Sequence, residues 1–283
     1  MTTIGDAAQE IQTKISNGER ILDFIDNENL ITCVTRLFRV VHATTVQISE
    51  GKAWHKWNFW KNGVDPFATI VSTIVSGKKT IEDHLLEVEK VRQIDKTISN
   101  SIGYFHQDIL GHLNGCTNPG LNGEIDLIVE RPGLKLIAEL KNKWNTTKGD
   151  DKTQPYDKLA RLIESDYSGY IGYYVCIISK PIKSKGYRVL DKSFTPSKKK
   201  ERRPLREDIR EIDGLSFYDL LTGRKDSLLD LYQVFPKLLA YCINLEDPNK
   251  KLSSLIDDQD NYFRYLWFHI YTANHGGVPP SSK

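Results

Sequence analysis

The chain has 283 residues, 39% of them hydrophobic, enough to bury a sizeable core as one large domain with insertions. Its formal net charge of +2 excludes a uniformly basic or acidic protein, and no apolar run approaches the roughly 20 residues of a membrane span, so no membrane partner is expected. The N-terminal MTTIGDAAQEIQTK lacks the apolar stretch of a secretion signal, which predicts a cytoplasmic location. Cys33, Cys116, Cys176 and Cys242 are scattered without CxxC spacing, which argues against zinc and fits unpaired thiols in a reducing compartment.

In chain order, Ile21, Phe24, Ile25, Leu30, Leu37, Val40 and Val41 recur at helix-like spacing, so the first 50 residues are expected to be a mainly helical scaffold. Trp54, Trp57 and Trp60 lie three apart and read as core rather than as a base-stacking platform. Asp65-Pro66 predicts a helix start, with the acid as N-cap and the proline at the first helical position. From Thr80 to about Leu110, apolar residues from Ile81 to Ile109 recur every three or four positions, giving one long or two successive amphipathic helices with Gly103 as a candidate break. On their polar face, Glu89 is the candidate to lend an extra carboxylate to whatever site the next segment builds.

That next segment, GEIDLIVERPGLKLIAELKNK from Gly123 to Lys143, is two alternating apolar runs around Pro132-Gly133, the pattern of an antiparallel hairpin. A turn centred there pairs Leu127 with Ala138, Val129 with Leu136 and Ile125 with Leu140, all apolar. The other face pairs Ile128 with Ile137, Glu130 with Lys135, Glu124 with Lys141, and Asp126 with Glu139. Only the last pair is repulsive, and like charges directly opposite destabilise a sheet. A bound cation reverses the sign. Two carboxylates a few Å apart, with a lysine two residues beyond the second, are oxygen ligands for Mg²⁺ plus an adjacent positive group, an arrangement suited to phosphodiester chemistry. Glu124 is a further candidate acid. Asn142, Lys143, Trp144, Asn145 and Lys148 are expected on a loop leaving the second strand, where they would contact a nucleic-acid backbone.

Pro155 opens a helix with Leu159, Leu162 and Ile163 on one side, and GYIGYYVCIIS from Gly169 to Ser179 has the continuous apolar, β-rich character of a buried central strand. Helix, hairpin, helix, buried strand predicts an α/β sheet covered by helices. Lys180 to Arg210 holds twelve Lys or Arg against four Asp or Glu, a net +8 that leaves −6 on the rest of the chain. Two readings stand for this stretch: a solvated loop, or a phosphate-contacting arm in which Lys198, Lys199, Lys200, Arg202 and Arg203 displace counterions from DNA. DGLSFYDLLTG is expected to form another strand and turn, Ser227 to Ile243 a helix, and NYFRYLWFHIY a closing amphipathic helix.

Asp126, Glu139, Leu140 and Lys141 resemble the active site of the PD-(D/E)XK nuclease superfamily, which includes most type II restriction endonucleases. Ile125 stands where that superfamily often has proline. NGVDPF, IGYFHQDIL, AELKNKWNTTKG and DGLSFYDLLTG, spread over about residues 55 to 225, are similar to segments of bacterial restriction endonucleases that cut GGNCC-type sites. The resemblance implies an α/β fold with a central mixed β-sheet, a catalytic hairpin and flanking helices, in one nuclease domain: a mainly helical region 1–79, a catalytic core 80–225 and a helical region 226–283. It implies Mg²⁺ held by Asp126, Glu139 and the Leu140 carbonyl, with Lys141 orienting and helping to deprotonate the attacking water. The expected partners are double-stranded DNA and a second copy of the chain, since a two-fold protein matches a palindromic site. A repair or recombination nuclease, and a DNA-binding protein without catalysis, remain the alternatives. A sugar-processing enzyme is disfavoured, because facing cross-strand carboxylates lie closer than the roughly 6.5 to 9.5 Å of an inverting pair.

Overall fold

A computed structural model describes residues 4–49, 64–77, 80–144, 152–178, 191–198 and 201–246. The chain divides into two compact units, Met1–Val34 with Phe105–Lys283, and Thr35–Tyr104. The elements in order are α1 (Ile4–Ser16), α2 (Asn27–Ser49), α3 (Pro66–Val75), the short α4 (Ile81–His84), a π-helical turn (Leu85–Glu89) and α5 (Lys90–Gly111). There follow β1 (Cys116–Thr117), β2 (Leu127–Arg131), β3 (Leu134–Lys143), α6 (Thr153–Glu164), β4 (Ile171–Ile178), β5 (Lys192–Ser193), β6 (Ser197–Lys198), β7 (Glu201–Arg202), β8 (Ile209–Asp213), α7 (Gly214–Thr222) and α8 (Ser227–Glu246). Trp54, Trp57, Trp60, Asn145, Lys148, Lys199, Lys200 and NYFRYLWFHIY lie outside the described residues.

In the smaller unit, Asp65 caps α3 by accepting from the Phe67 and Ala68 amides, with Pro66 in the first turn, as its sequence predicts. Gly103 does not break α5. The departure from regular helix comes earlier, at the π-turn Leu85–Glu89.

In the larger unit, six strands form one mixed sheet in the order β1-β2-β3-β4-β8-β5, with β3, β4 and β8 parallel and the remaining pairs antiparallel. The hairpin register is the one its alternation predicts: Leu127 opposes Ala138, Ile128 opposes Ile137, Val129 opposes Leu136 and Glu130 opposes Lys135. Arg131 pairs with Leu134, so the loop is Pro132-Gly133 alone. Proline holds φ near −65° and Gly133 has φ +77°, the combination a type II turn requires. Alternation fails at one place. β2 begins at Leu127, and Ile125 packs with Ile137 and Leu159 on the α6 side instead of extending the Leu127 face toward Leu140.

β3 is covered on both faces. Leu136, Ala138 and Leu140 are buried on one side, where Tyr173 of β4, opposite Ala138, meets Phe217 of α7. Ile137 and Tyr174 are buried on the other, in a cluster with Tyr156, Leu159, Leu162 and Ile163 of α6 and with Phe194. Burying each such aliphatic side chain contributes roughly 1.5 to 3 kcal/mol. Gly172 lets α6 come close: a Cβ there would lie 2.9 Å from Ile163 Cδ1 and 3.2 Å from Leu159 Cβ.

DGLSFYDLLTG is not strand and turn. β8 ends at Asp213, whose carboxylate accepts from the Ser216 amide at 2.8 Å and so starts helix α7, which Gly223 closes with φ +70°. The run is apolar enough for either conformation, and these two caps decide it. The helix expected at Ser227 is present as α8 and packs against α1, with Lys237 paired to Glu10. No disulfide joins the four cysteines. No helix among the described residues is long and apolar enough to cross a membrane.

Candidate active site

Because β3 lies in the middle of the sheet and alternates its side chains, Glu139 and Lys141 project to the same side as Ile137, toward α6. Glu139 is 8% exposed. Its Oε1 accepts from Lys141 Nζ at 2.7 Å, and its Oε2 accepts from Lys158 Nζ of α6 at 2.6 Å. Asp126, one residue before β2, reaches across the hairpin so that its Oδ2 accepts from the Leu140 amide at 2.7 Å. The main chain of β3 therefore fixes one acid, and two ammoniums fix the other.

The two carboxyls respond in opposite directions. Burial and the charge of Glu139 raise the Asp126 carboxyl above its ordinary value, and the Leu140 hydrogen bond and the two lysines only partly offset them. Burial also pushes Glu139 up, but hydrogen bonds and charge from Lys141 and Lys158 overcome it and hold that carboxyl below the usual range. For Lys141, burial works against the charged form. Glu139 and Asp126 outweigh it and raise the ammonium's pKa.

The donors of this site suit a hard divalent cation. They are oxygens only, in a partly buried position where burial and then the charge of Glu139 raise the Asp126 carboxyl, and positive charge from a cation would offset both. Among the described residues no three His, Cys, Asp or Glu side chains gather, so the acidic side chains of the site are these two.

The other sequence candidates fall in different places. Glu124 is exposed and pairs with Arg161 of α6 at 3.0 Å, not with Lys141. Glu89, in the smaller unit, is 6% exposed, with Arg92 on both carboxylate oxygens at 2.7 and 2.6 Å and Gln93 on Oε1 at 2.8 Å. Asn142 and Lys143 belong to β3 itself, which parallel pairing of Lys143 with Ile178 extends beyond Lys141; Trp144 follows, half-buried. In the basic stretch, Arg202 donates to Thr195, and Arg203 makes a two-pronged pair with Asp157 of α6 at 2.7 and 2.6 Å. Lys198 lies in β6, paired with Glu201 of β7 across a two-stranded ribbon.

Sequence reasoning missed Lys158. Its only local signal is a position beside Leu159 at the edge of the buried stripe of α6, and no local pattern reveals which strand residue lies beneath that edge.

Residues 22–244 match the model of the Eco47II restriction endonuclease family. The chain is 34% identical over 251 residues to the type II restriction enzyme Eco47II of Escherichia coli, covering 87% of this chain and 97% of that one. It is 29% identical over 236 residues to the type II restriction enzyme Sau96I of Staphylococcus aureus, covering 83% and 86%. These relations decide against the repair, non-catalytic and sugar-processing alternatives. The chain belongs to the Eco47II restriction endonuclease family and is a sequence-specific DNA endonuclease of the type II restriction class.

Proposed function

We propose that this enzyme cuts double-stranded DNA at a GGNCC-type palindrome as a Mg²⁺-dependent homodimer in the bacterial cytoplasm, with Asp126, Glu139 and the Leu140 carbonyl holding the metal and Lys141 as the catalytic lysine. The observation that carries this reading is the contact of Asp126 Oδ2 with the Leu140 amide, which ties the first acid to the centre of the Glu139-Leu140-Lys141 motif. Bound Mg²⁺ supplies Lewis-acid polarisation of a phosphoryl oxygen and a water of lowered pKa. Asp126 and Glu139 contribute fixed oxygens, pre-aimed by the β3 backbone and by lysine. Lys141, beside Glu139 Oε1, is positioned to orient the attacking water and to stabilise the charge growing on phosphorus. Asn142, Lys143 and Trp144, directly after the lysine, flank the scissile phosphate together with Asn145 and Lys148. Lys198, Lys199, Lys200, Arg202 and Arg203 contact the backbone more remotely. Glu89 and Glu124, the further candidate acids, are each bonded to an arginine, Glu89 to Arg92 and Glu124 to Arg161.

Incubation of the protein with plasmid and Mg²⁺, followed by sequencing of the fragment ends, tests reaction, site and overhang together. Discrete fragments with ends in GGNCC-type sequence are expected, and none with EDTA. Random ends, or cutting that EDTA leaves untouched, would overturn the reading. Light scattering with and without DNA tests the dimer, which fails if the chain is monomeric in both states and yields only nicked circles.

A further inference from the structure

On the α6 side of the hairpin, Lys158 is a charged group that touches a proposed metal ligand and to which the nuclease reading gives no task. Lys141 Nζ meets Glu139 Oε1 at 2.7 Å and Lys158 Nζ meets Glu139 Oε2 at 2.6 Å, but the two lysines are anchored differently. Lys141 lies two residues along the same strand and on the same face as Glu139, and the nuclease reading already gives it the catalytic role. Lys158 reaches in from α6 on a flexible four-carbon stem and can leave. With Asp126 included, the site contains two carboxylates and two ammoniums, so its charges already balance. A divalent cation entering that set meets repulsion from both ammoniums, and of the two Lys158 is the one that the nuclease reading leaves without a role at the reacting water.

We propose that Lys158 is the resident counter-cation of the active site: it holds Glu139 until a divalent cation takes its place, and its released ammonium then meets a phosphate of the bound DNA. Lys158 is thus a positioning residue before metal entry and a phosphate contact afterwards. The inference rests on the reading that Asp126 and Glu139 hold the metal. Its distinctive consequence is a pair of opposite effects, since a competitor for the metal site should, when removed, tighten metal binding while weakening cleavage. A lysine that only braces α6 has no reason to produce that pair.

The test uses the full chain without DNA, titrated with Mg²⁺ and followed by calorimetry and by melting temperature, for wild type, Lys158→Met and Lys158→Arg. Lys158→Met should bind Mg²⁺ at least about tenfold more tightly than wild type and gain more melting temperature from it. Lys158→Arg, which keeps the charge, should stay near wild type. With Mg²⁺ saturating, single-turnover cleavage by Lys158→Met should fall at least about tenfold. Unchanged or weaker Mg²⁺ binding by folded Lys158→Met overturns the proposal, and Lys158→Gln is judged by the same standard should the methionine variant not fold. Asp126→Asn separates the two levels. If that variant still binds Mg²⁺, the metal reading itself falls; if it loses Mg²⁺ while Lys158→Met binds no tighter than wild type, only the role of Lys158 falls.

Discussion

In the hairpin, Glu139 is nearly buried and each of its oxygens is met by an ammonium, whereas between Asp191 and Arg210 the charges pair at the surface: Arg203 with Asp157, Arg206 with Asp208, and Arg210 with Asp191. The second region has far more charge, and the first has more at stake. An exposed ion pair is worth about 0 to 1 kcal/mol, because water and salt already solvate both partners. Removing one partner of a buried pair costs about 3 to 5 kcal/mol, because the other charge is left without water. Charge density is therefore a poor guide to where a charge matters most for stability, and burial is the better one.

The sharpest way to break this contrast is to neutralise the two hairpin acids. Glu139→Gln and Asp126→Asn should each lower plasmid cleavage by at least about 10³-fold and abolish the stabilisation that Mg²⁺ gives the folded protein. Lys141→Ala should lose cleavage to a similar extent yet keep that stabilisation, since it is not a ligand. Appreciable cutting by Asp126→Asn at ordinary Mg²⁺ would sink the assignment of both acids.

Support for the site from α6 comes next in size. Leu159 is fully buried beneath the helix that carries Lys158, so Leu159→Ala should cost about 2 to 5 kcal/mol in urea denaturation. Gly172→Ala adds a methyl 2.9 Å from Ile163 Cδ1 and should cost about 1 to 3 kcal/mol while also slowing cleavage, because α6 must lift away from β3. If Gly172→Ala proved neutral in both measurements, α6 would not be set by close packing on β4.

Surface arginines should give a smaller effect. Arg206→Ala should change stability by less than about 1 kcal/mol despite its bonds to both Asp208 and Glu164. Arg203→Ala should weaken binding to all DNA sequences alike and reduce the salt slope by about 1, with site preference unchanged. An unaltered slope would return Arg203 to a purely structural pair with Asp157.

The smallest effect concerns Asp126 without metal. Its carboxyl lies above the ordinary value, chiefly through burial and then through Glu139, so its ionised form destabilises the folded state wherever the pH exceeds both its folded and unfolded values. That penalty fades as pH falls through the folded value and is absent below the unfolded one, about 3.9. In EDTA, Asp126→Asn should therefore melt slightly higher than wild type near pH 7, by less than about 1 kcal/mol, and the gap should narrow as pH falls towards about 4. A gap that widened in acid would mean that Asp126 gains more from Lys141 and Lys158 than it loses to Glu139.

What the amino-acid order determined by itself is local. Alternation on either side of Pro132-Gly133 sets the hairpin register, because the period of a strand is two residues and the turn admits no slip without burying charge. Asp65-Pro66 starts a helix, and the apolar run Ile171–Ile178 is a central strand with neighbours on both edges. Where local patterns were compatible with two conformations, tertiary structure decided. Ile125 turned toward α6 because the strand had not yet begun, whereas Gly214–Thr222 is helix through its own local caps, Asp213 and Gly223, a signal already present in the sequence. Lys158 could not be found from its neighbours at all. A helix crossing a sheet brings together residues with no fixed spacing in the chain, and the 2.6 Å contact with Glu139, nineteen positions away, depends on α6 lying close against the sheet, where Gly172 leaves room for it.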